Sequence, residues 1–204
     1  MISTTRRRNP LLAASNRADR GVETWPSMGN TLSQIVMACQ HGDRNAQRQL
    51  YEQCCERVFR LANRMVGLQE APDLVQQVFL QTFRKISQFS GRSCFETWLY
   101  RLTVNECLQF LRQGKRRSCE ELAYEPTDHS PPHARQVQHR ELLDRALQRL
   151  DPELRCIFLL REVEGLAYGE IAKALGIPDG TVGSRLNRAR AELRERLIEL
   201  GWEF

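Results

Sequence analysis

The sequence predicts an all-α protein: two small helical domains joined by a flexible linker. Three observations carry this expectation. Apolar residues recur at three- and four-residue intervals from Leu32 to Leu111 and again from Leu142 to Leu193, which is the period of one helix face. No stretch alternates apolar and polar residues long enough to make a strand. Between the two periodic regions lies a polar segment in which Pro131 and Pro132 stand side by side, holding the chain extended.

Taken in order, residues 1–30 carry Arg6, Arg7 and Arg8, then Ser, Asn, Gly and Pro without periodicity. They read as a disordered N-terminal arm. Met28 directly precedes the first helical pattern, so translation starting at Met1 and at Met28 both stay open. Residues 31–114 form the first domain. Ile35, Val36 and Cys39 open its first helix. Ala46, Leu50, Tyr51, Val58, Leu61, Ala62 and Met65 continue the stripe until Gly67 breaks it. Pro72 is tolerated in a first helical turn, and Leu74, Val75, Val78, Phe79 and Phe83 follow at helical spacing. The segment Gln88–Cys94 is a loop. Phe95, Trp98, Leu99, Leu102, Leu108 and Leu111 mark a further helix. Residues 115–136 are the linker, and 137–204 the second domain. Its first helix is built on Leu142, Leu143, Ala146, Leu147 and Leu150. Its second starts at Pro152 and carries Ile157, Phe158, Leu160 and Val163.

The stretch from Leu166 to Arg190 closes that domain as two short helices around a tight turn. Ile171, Ala172 and Leu175 share a face. Gly176 ends the first of the two, because glycine takes the left-handed C′ conformation without steric cost. Pro178 suits the first turn of the next helix, and Asp179 sits near its positive end. Val182, Leu186, Ala189 and Leu193 give that helix an inner face, leaving Ser184, Arg185, Asn187 and Arg188 outward. This is a helix-turn-helix whose second helix fits a major groove.

Composition narrows the function classes. The chain has 204 residues, 41% of them hydrophobic, with 30 basic against 25 acidic side chains and a net charge of +5. The excess is local. Arg84, Lys85, Arg92, Arg101, Arg112, Lys115, Arg116 and Arg117 face only Glu96 and Glu106 over the same span, a distribution suited to a polyanion. The seven cysteines form no C-x-x-C pair and the four histidines are not at finger spacing, so the thiols are expected reduced and no metal or cofactor site is expected. Neither a Gly-rich phosphate loop nor a convergent catalytic constellation is present, which argues against an enzyme. No apolar run approaches the ~18 residues of a membrane span, and the N-terminal apolar patch is too short for a secretory signal. A cytoplasmic location without membrane insertion is expected.

Two longer motifs occur in a fixed order. Asp73–Arg117 contains the pattern F-x-G-x-S-x-F-x-T-W-L-Y-R at Phe89–Arg101. Leu150–Leu197 contains G-I-P-x-G-T-V-x-S-R-L-x-R-A-R at Gly176–Arg190. Together they closely resemble the bacterial extracytoplasmic-function (ECF) sigma factors of the sigma-70 family, over roughly residues 32–200. The resemblance implies an alternative sigma factor, a DNA-binding protein that directs transcription initiation without covalent chemistry. The first domain would be sigma region 2, which binds the RNA polymerase clamp and recognises and melts the −10 element. The second would be region 4, which binds the polymerase flap and reads the −35 element. The implied partners are core RNA polymerase, promoter double-stranded DNA, the melted non-template strand and an anti-sigma factor. A stand-alone helix-turn-helix transcriptional regulator is the rival reading, but it leaves the Phe89–Arg101 motif unexplained.

Carried over to this chain, the resemblance puts Asp73, Gln76 and Gln77 on the clamp. The family more often has another acidic residue near Pro72 and a glutamate where Gln77 stands. Any ionic part of the clamp contact is therefore weakened here. The loop residues Phe89, Ser90, Gly91, Arg92 and Ser93 would capture an extruded −10 base, whose unstacking costs a few kcal/mol. Arg92, Arg101, Arg112, Lys115, Arg116 and Arg117 suit phosphates, and Asn105 a base or sugar. Trp98 falls in the apolar stripe and is expected to pack in the core, whereas Tyr100 is open to core packing or base stacking. For the −35 element, Ser184, Arg185 and Arg188 are best placed for base edges and phosphates, Asn187 could read adenine, and Thr181 suits a phosphate. Gly183 departs from the family's usual Lys or Arg, losing a contact and about 1 kcal/mol of helix propensity. Arg194 and Arg196 are expected to pair with neighbouring glutamates, with Glu192 and Arg196 in the favourable i,i+4 order. Trp202 and Phe204 are open to folding back onto the domain or to capping a partner.

Overall fold

A computed structural model describes the backbone of residues 29–118 and 135–202, and the side chains of 31–114 and 141–202. Residues 1–28, the segment 119–134 and residues 203–204 lie outside the described residues, while Gly29 and Asn30, read as the end of the N-terminal arm, begin a helix. Among the described residues there are eight α-helices and one 3₁₀ turn, and no strand.

In the first domain, α1 spans Gly29–Gln40, α2 Arg44–Val66, α3 Ala71–Lys85 and α4 Phe95–Ser118, with the 3₁₀ turn at Ile86–Gln88. Asp43 starts α2 by accepting from the amides of Asn45 at 2.7 Å and Ala46 at 3.2 Å, which satisfies donors that have no intrahelical partner. The expected stripe is the buried face of α2: Leu50, Cys54, Val58, Leu61, Ala62 and Met65 are all buried. They pack on Leu74, Val78 and Phe79 of α3 and on Leu99, Val104 and Cys107 of α4. Buried Thr82 and Thr103 return their hydroxyls to the carbonyls of Val78 and Leu99, so neither leaves an unsatisfied polar atom in the core.

In the second domain, α5 spans Arg135–Gln148, α6 Pro152–Glu162, α7 Tyr168–Leu175 and α8 Asp179–Glu199. Asp151 caps α6 through the Glu153 amide at 2.9 Å, with Pro152 in the first turn. Gly176 ends α7 at φ 65° and ψ 34°, the left-handed C-cap its position called for. Pro178 is the N-cap rather than the first helical residue of α8. Val182, Leu186, Ala189 and Leu193 are buried, and Val182, Leu186 and Leu193 share one core with Leu147, Ile157, Leu160 and Ile171. Trp202 folds back: its amide donates to the Leu197 carbonyl at 2.9 Å and its ring packs on the core.

Two boundaries differ from simple reading of composition. α4 continues past Gly114 to Ser118, and α5 begins at Arg135. Lys and Arg are good helix formers, so a charged run after an amphipathic helix extends it as readily as it opens a linker. The domains are also not held apart. α2 packs on α5 and α6, and α4 packs on α6 and α7, giving one buried apolar cluster that runs through both domains.

Candidate nucleic-acid interface

The loop after the 3₁₀ turn is built by local aromatic packing. Phe89 is half-buried, with ring centroids 5.6 Å from Phe95 and 5.5 Å from Trp98. Its ring therefore anchors the loop and is not offered to a base. Trp98 sits in the same cluster, as its place in the stripe implied. Gly91 at φ 69° turns the chain in a region that side chains with a Cβ rarely enter. Gln40 closes the loop from α1, donating to the carbonyls of Ile86 at 3.0 Å and Phe89 at 2.8 Å.

Between that loop and α1 lies an open pocket of about 450 Å³, lined by Met37, Gln40, Ser90, Gly91, Ser93 and Glu96 among others. This is within the size of small-molecule sites. Ser90 and Gly91 are exposed at its rim and Arg92 beside them is exposed. Met37 and Gln40 were not among the candidate residues. Their one sequence signal was a methionine off the buried stripe, and it is 54% exposed here.

On α4, Arg101 and Asn105 are exposed. Tyr100 is not: it is 3% exposed and its hydroxyl donates to Glu164 of the second domain. Of the two roles left open for it, this arrangement uses packing. Arg112 is exposed and lies 3.5 Å from Glu153. Lys115, Arg116 and Arg117 fall on the final turns of α4, where side chains lie outside the described residues. On α3, Asp73, Gln76 and Gln77 are exposed on the same face as Leu80, itself 50% exposed, giving a polar surface with one apolar anchor.

The helix-turn-helix presents Ser184, Asn187 and Arg188 to solvent, with Thr181 and Arg185 half-exposed. Several of these side chains have internal partners. Ser184 Oγ donates to the Thr181 carbonyl at 3.0 Å. Arg185 meets Glu153 at 3.0 Å and Arg188 meets Glu192 at 2.7 Å. Arg190 pairs with Glu162 at 2.5 Å and Arg196 with Glu199 at 3.0 Å. Arg196 thus pairs with a neighbouring glutamate as expected, with Glu199 as the partner, while Glu192 meets Arg188 one turn earlier. Gly183 is half-exposed, and a Cβ there would lie 3.7 Å from the Tyr168 ring. The Arg161 guanidinium stacks over that ring at 5.3 Å.

A second cleft, again about 450 Å³, opens between the domains and is lined by Asn105, Arg112, Glu153, Cys156 and Arg185. It brings candidate contacts for two separate DNA elements onto a single carboxylate. Nearby, Arg155 is 5% exposed, and burial pulls its guanidinium down to about 10. Burial likewise pushes the thiols of Cys54 and Cys107 up to about 12, and raises Cys156 as well. The described cysteines are all free thiols. Among the described residues no cluster of His, Cys, Asp or Glu could hold a metal, and no helix is long and apolar enough to cross a membrane.

Similarity decides what this surface belongs to. The sigma-70 region 2 family matches residues 50–117, and the sigma-70 region 4 family matches 140–193. The ECF RNA polymerase sigma-E factor of Haemophilus influenzae is 35% identical over 179 residues, covering 81% of this chain and 95% of that protein. The chain belongs to the ECF sigma factors. Sigma-E of Escherichia coli K12 is 32% identical, covering 81% of this chain and 94% of its own length. SigE of Mycolicibacterium smegmatis is 38% identical over 74% of this chain, which spans 61% of that longer relative. The fold is shared with CnrH, solved in complex with the cytosolic domain of CnrY, at TM-score 0.62 and 21% identity, over 81% of this chain and 96% of that one. It is shared too with RpoE of Bartonella quintana, solved with the anti-sigma factor NepR, at TM-score 0.62 and 24% identity, over 74% and 95%. This ECF sigma factor is an RNA polymerase sigma factor with one domain for each of the two regions.

Proposed function

We propose that this sigma factor binds core RNA polymerase through the α3 face and the flap through its second domain, and selects promoters by reading two elements in different ways. The exposed face of Asp73, Gln76, Gln77 and Leu80 meets the clamp. The pocket between α1 and the Phe89–Cys94 loop takes a base extruded from the −10 element on the melted non-template strand. Ser90, Ser93, Gln40 and the loop amides read its edge, and Arg92, Arg101, Asn105 and Arg112 hold the adjoining backbone. Phe89 acts by fixing the loop. From α8, Ser184, Arg185, Asn187 and Arg188 address the −35 major groove and Thr181 a phosphate. The protein performs no covalent chemistry, works in the cytoplasm where the polymerase is, and is held in check by an anti-sigma factor that covers its DNA-facing surfaces.

The pocket carries this reading. Melting costs stacking energy, and a protein offsets it only where a shaped cavity awaits the base and cations await the phosphates. The exposed loop that lines the pocket carries Arg92 beside it, which supports this reading. The test is open-complex formation on a supercoiled promoter with core polymerase, read by permanganate reactivity of unpaired thymines. Ser90→Ala and Ser93→Ala together should lower reactivity in the −10 region while −35 duplex binding is retained. Unchanged melting in that variant removes the pocket from the mechanism.

A further inference from the structure

We propose that Gly183 and the ring of Tyr168 form an apolar notch on the DNA-facing side of α8, and that this notch reads the C5-methyl group of a thymine in the −35 element. The proposal rests on the assignment of α8 to the −35 major groove, and adds to it a specificity determinant.

The fold itself does not demand the glycine. Gly183 lies inside α8 and is not among the glycines held at positive φ, so its backbone suits any helix former. Packing does not exclude a side chain either. An added Cβ would lie 3.7 Å from Cε2 of the Tyr168 ring, an ordinary contact. What the glycine changes is the surface. Residue 183 stands one turn before the exposed Asn187, on the same helix face. Where a long side chain would begin and cross the ring edge, this chain offers a bare Cα beside an aromatic ring.

The wall of the notch is braced. Tyr168 opens α7, and Glu170 fixes that first turn by accepting from the Ala167 amide at 2.8 Å. The Arg161 guanidinium lies 5.3 Å from the ring centroid and donates to the Leu166 carbonyl at 2.9 Å, so α6 supports the ring from one face. Leu166 and Ile171 on either side are buried, yet Tyr168 is 41% exposed. The ring is therefore a fixed apolar surface at the edge of the recognition helix.

Base chemistry selects the ligand. In the major groove, guanine, cytosine and adenine present donors and acceptors, whereas thymine adds a methyl group. A notch of glycine and ring carbon strips water from a donor or acceptor without replacing its hydrogen bond. The methyl group loses nothing by entering it. The polar neighbours are less free to discriminate. Ser184, Arg185 and Arg188 already meet the Thr181 carbonyl, Glu153 and Glu192, and a base contact must displace those partners.

The test uses the full chain assembled with core RNA polymerase, on a promoter fragment from which it initiates. Thymines on both strands of the −35 element are replaced singly by deoxyuridine, which removes the methyl group and keeps every hydrogen-bonding atom. One replacement should weaken binding roughly fourfold, the fold-change that corresponds to about one buried CH₂ group. The same ratio should persist in Tyr168→Phe, which keeps the ring. It should vanish in Gly183→Lys, whose stem crosses the ring edge, and in Tyr168→Ala. Each variant is compared with itself on two templates, so a change in its overall affinity or stability leaves the ratio readable. Equal affinity for every deoxyuridine template in the unsubstituted protein overturns the proposal while −35 reading stands. A ratio retained in both Gly183→Lys and Tyr168→Ala overturns it as well, because the methyl group is then read elsewhere. Binding that does not distinguish the −35 element from a scrambled one overturns the proposal together with the assignment on which it rests.

Discussion

The side-chain amide of Gln40 donates to the carbonyl oxygen of Phe89 at 2.8 Å, and in doing so ties the first helix to the loop proposed to take the −10 base. The same amide holds Ile86 at 3.0 Å, so one residue on α1 satisfies two carbonyls on the far side of the pocket. Gln40→Ala leaves both without that donor and costs about 1–2 kcal/mol of local order. Open-complex formation should fall severalfold while binding to a −35 duplex is unchanged. A proportional loss in both assays would mean that the substitution acts through global stability and not through the loop.

Gly183 stands inside the recognition helix with room for a side chain. Its Cβ would meet the Tyr168 ring at 3.7 Å, an ordinary contact. Gly183→Ala should therefore stabilise the protein by about 0.5–1 kcal/mol, raising Tm by roughly 1–4 °C for a chain of this size. Gly183→Lys should also restore a phosphate contact and steepen the salt dependence of −35 duplex binding by nearly one unit of log–log slope. A lower Tm for the alanine variant would show that α8 needs the glycine for a close approach.

Alkaline pH should weaken the fold from about pH 9 upward. Burial holds the thiols of Cys54 and Cys107 at about 12, against an ordinary 9.0. The unfolded chain therefore releases thiol protons first, and stability falls as pH rises through 9. By pH 10 each fully buried thiol contributes a loss of about 1 kcal/mol. Arg155 opposes this only above its folded value of about 10, because the unfolded chain then binds more protons. Tm measured from pH 8 to 10 should decline, and Cys54→Ala should make the decline shallower relative to its own value at pH 8. A flat profile would contradict the burial of these thiols.

Much of the fold was legible because it is written locally. The four inner residues of α8 and the left-handed Gly176 follow from spacing and residue type, and each sits where that spacing required. The aromatic anchoring of the loop was half-visible: Trp98 lies in its stripe, but the ring of Phe89 turned inward because Phe95 and Trp98 offered it a surface. What the sequence could not carry was the partner of a residue far along the chain. Tyr100 looked equally suited to core or base, and its choice depends on Glu164, 64 residues later. Arg155 carries no sign of burial in its own stretch of sequence, yet it is 5% exposed. The carbonyls of Met65, Gln148 and Leu150 around it explain why it can be buried. The ion pairs of α8 show the same limit, since Glu192 had two arginines within one turn and took Arg188.

The measurement that bears most directly on the account is promoter-specific transcription in vitro, with purified bacterial core polymerase and a template carrying the gene's own upstream region. Addition of this protein should produce a transcript of defined start that core alone does not make, and Arg188→Ala should reduce it at promoters dependent on the −35 element. Sequence-specific DNA binding by the protein alone, with no transcript from any template despite cognate core polymerase, would contradict the assignment of α3 to the polymerase clamp.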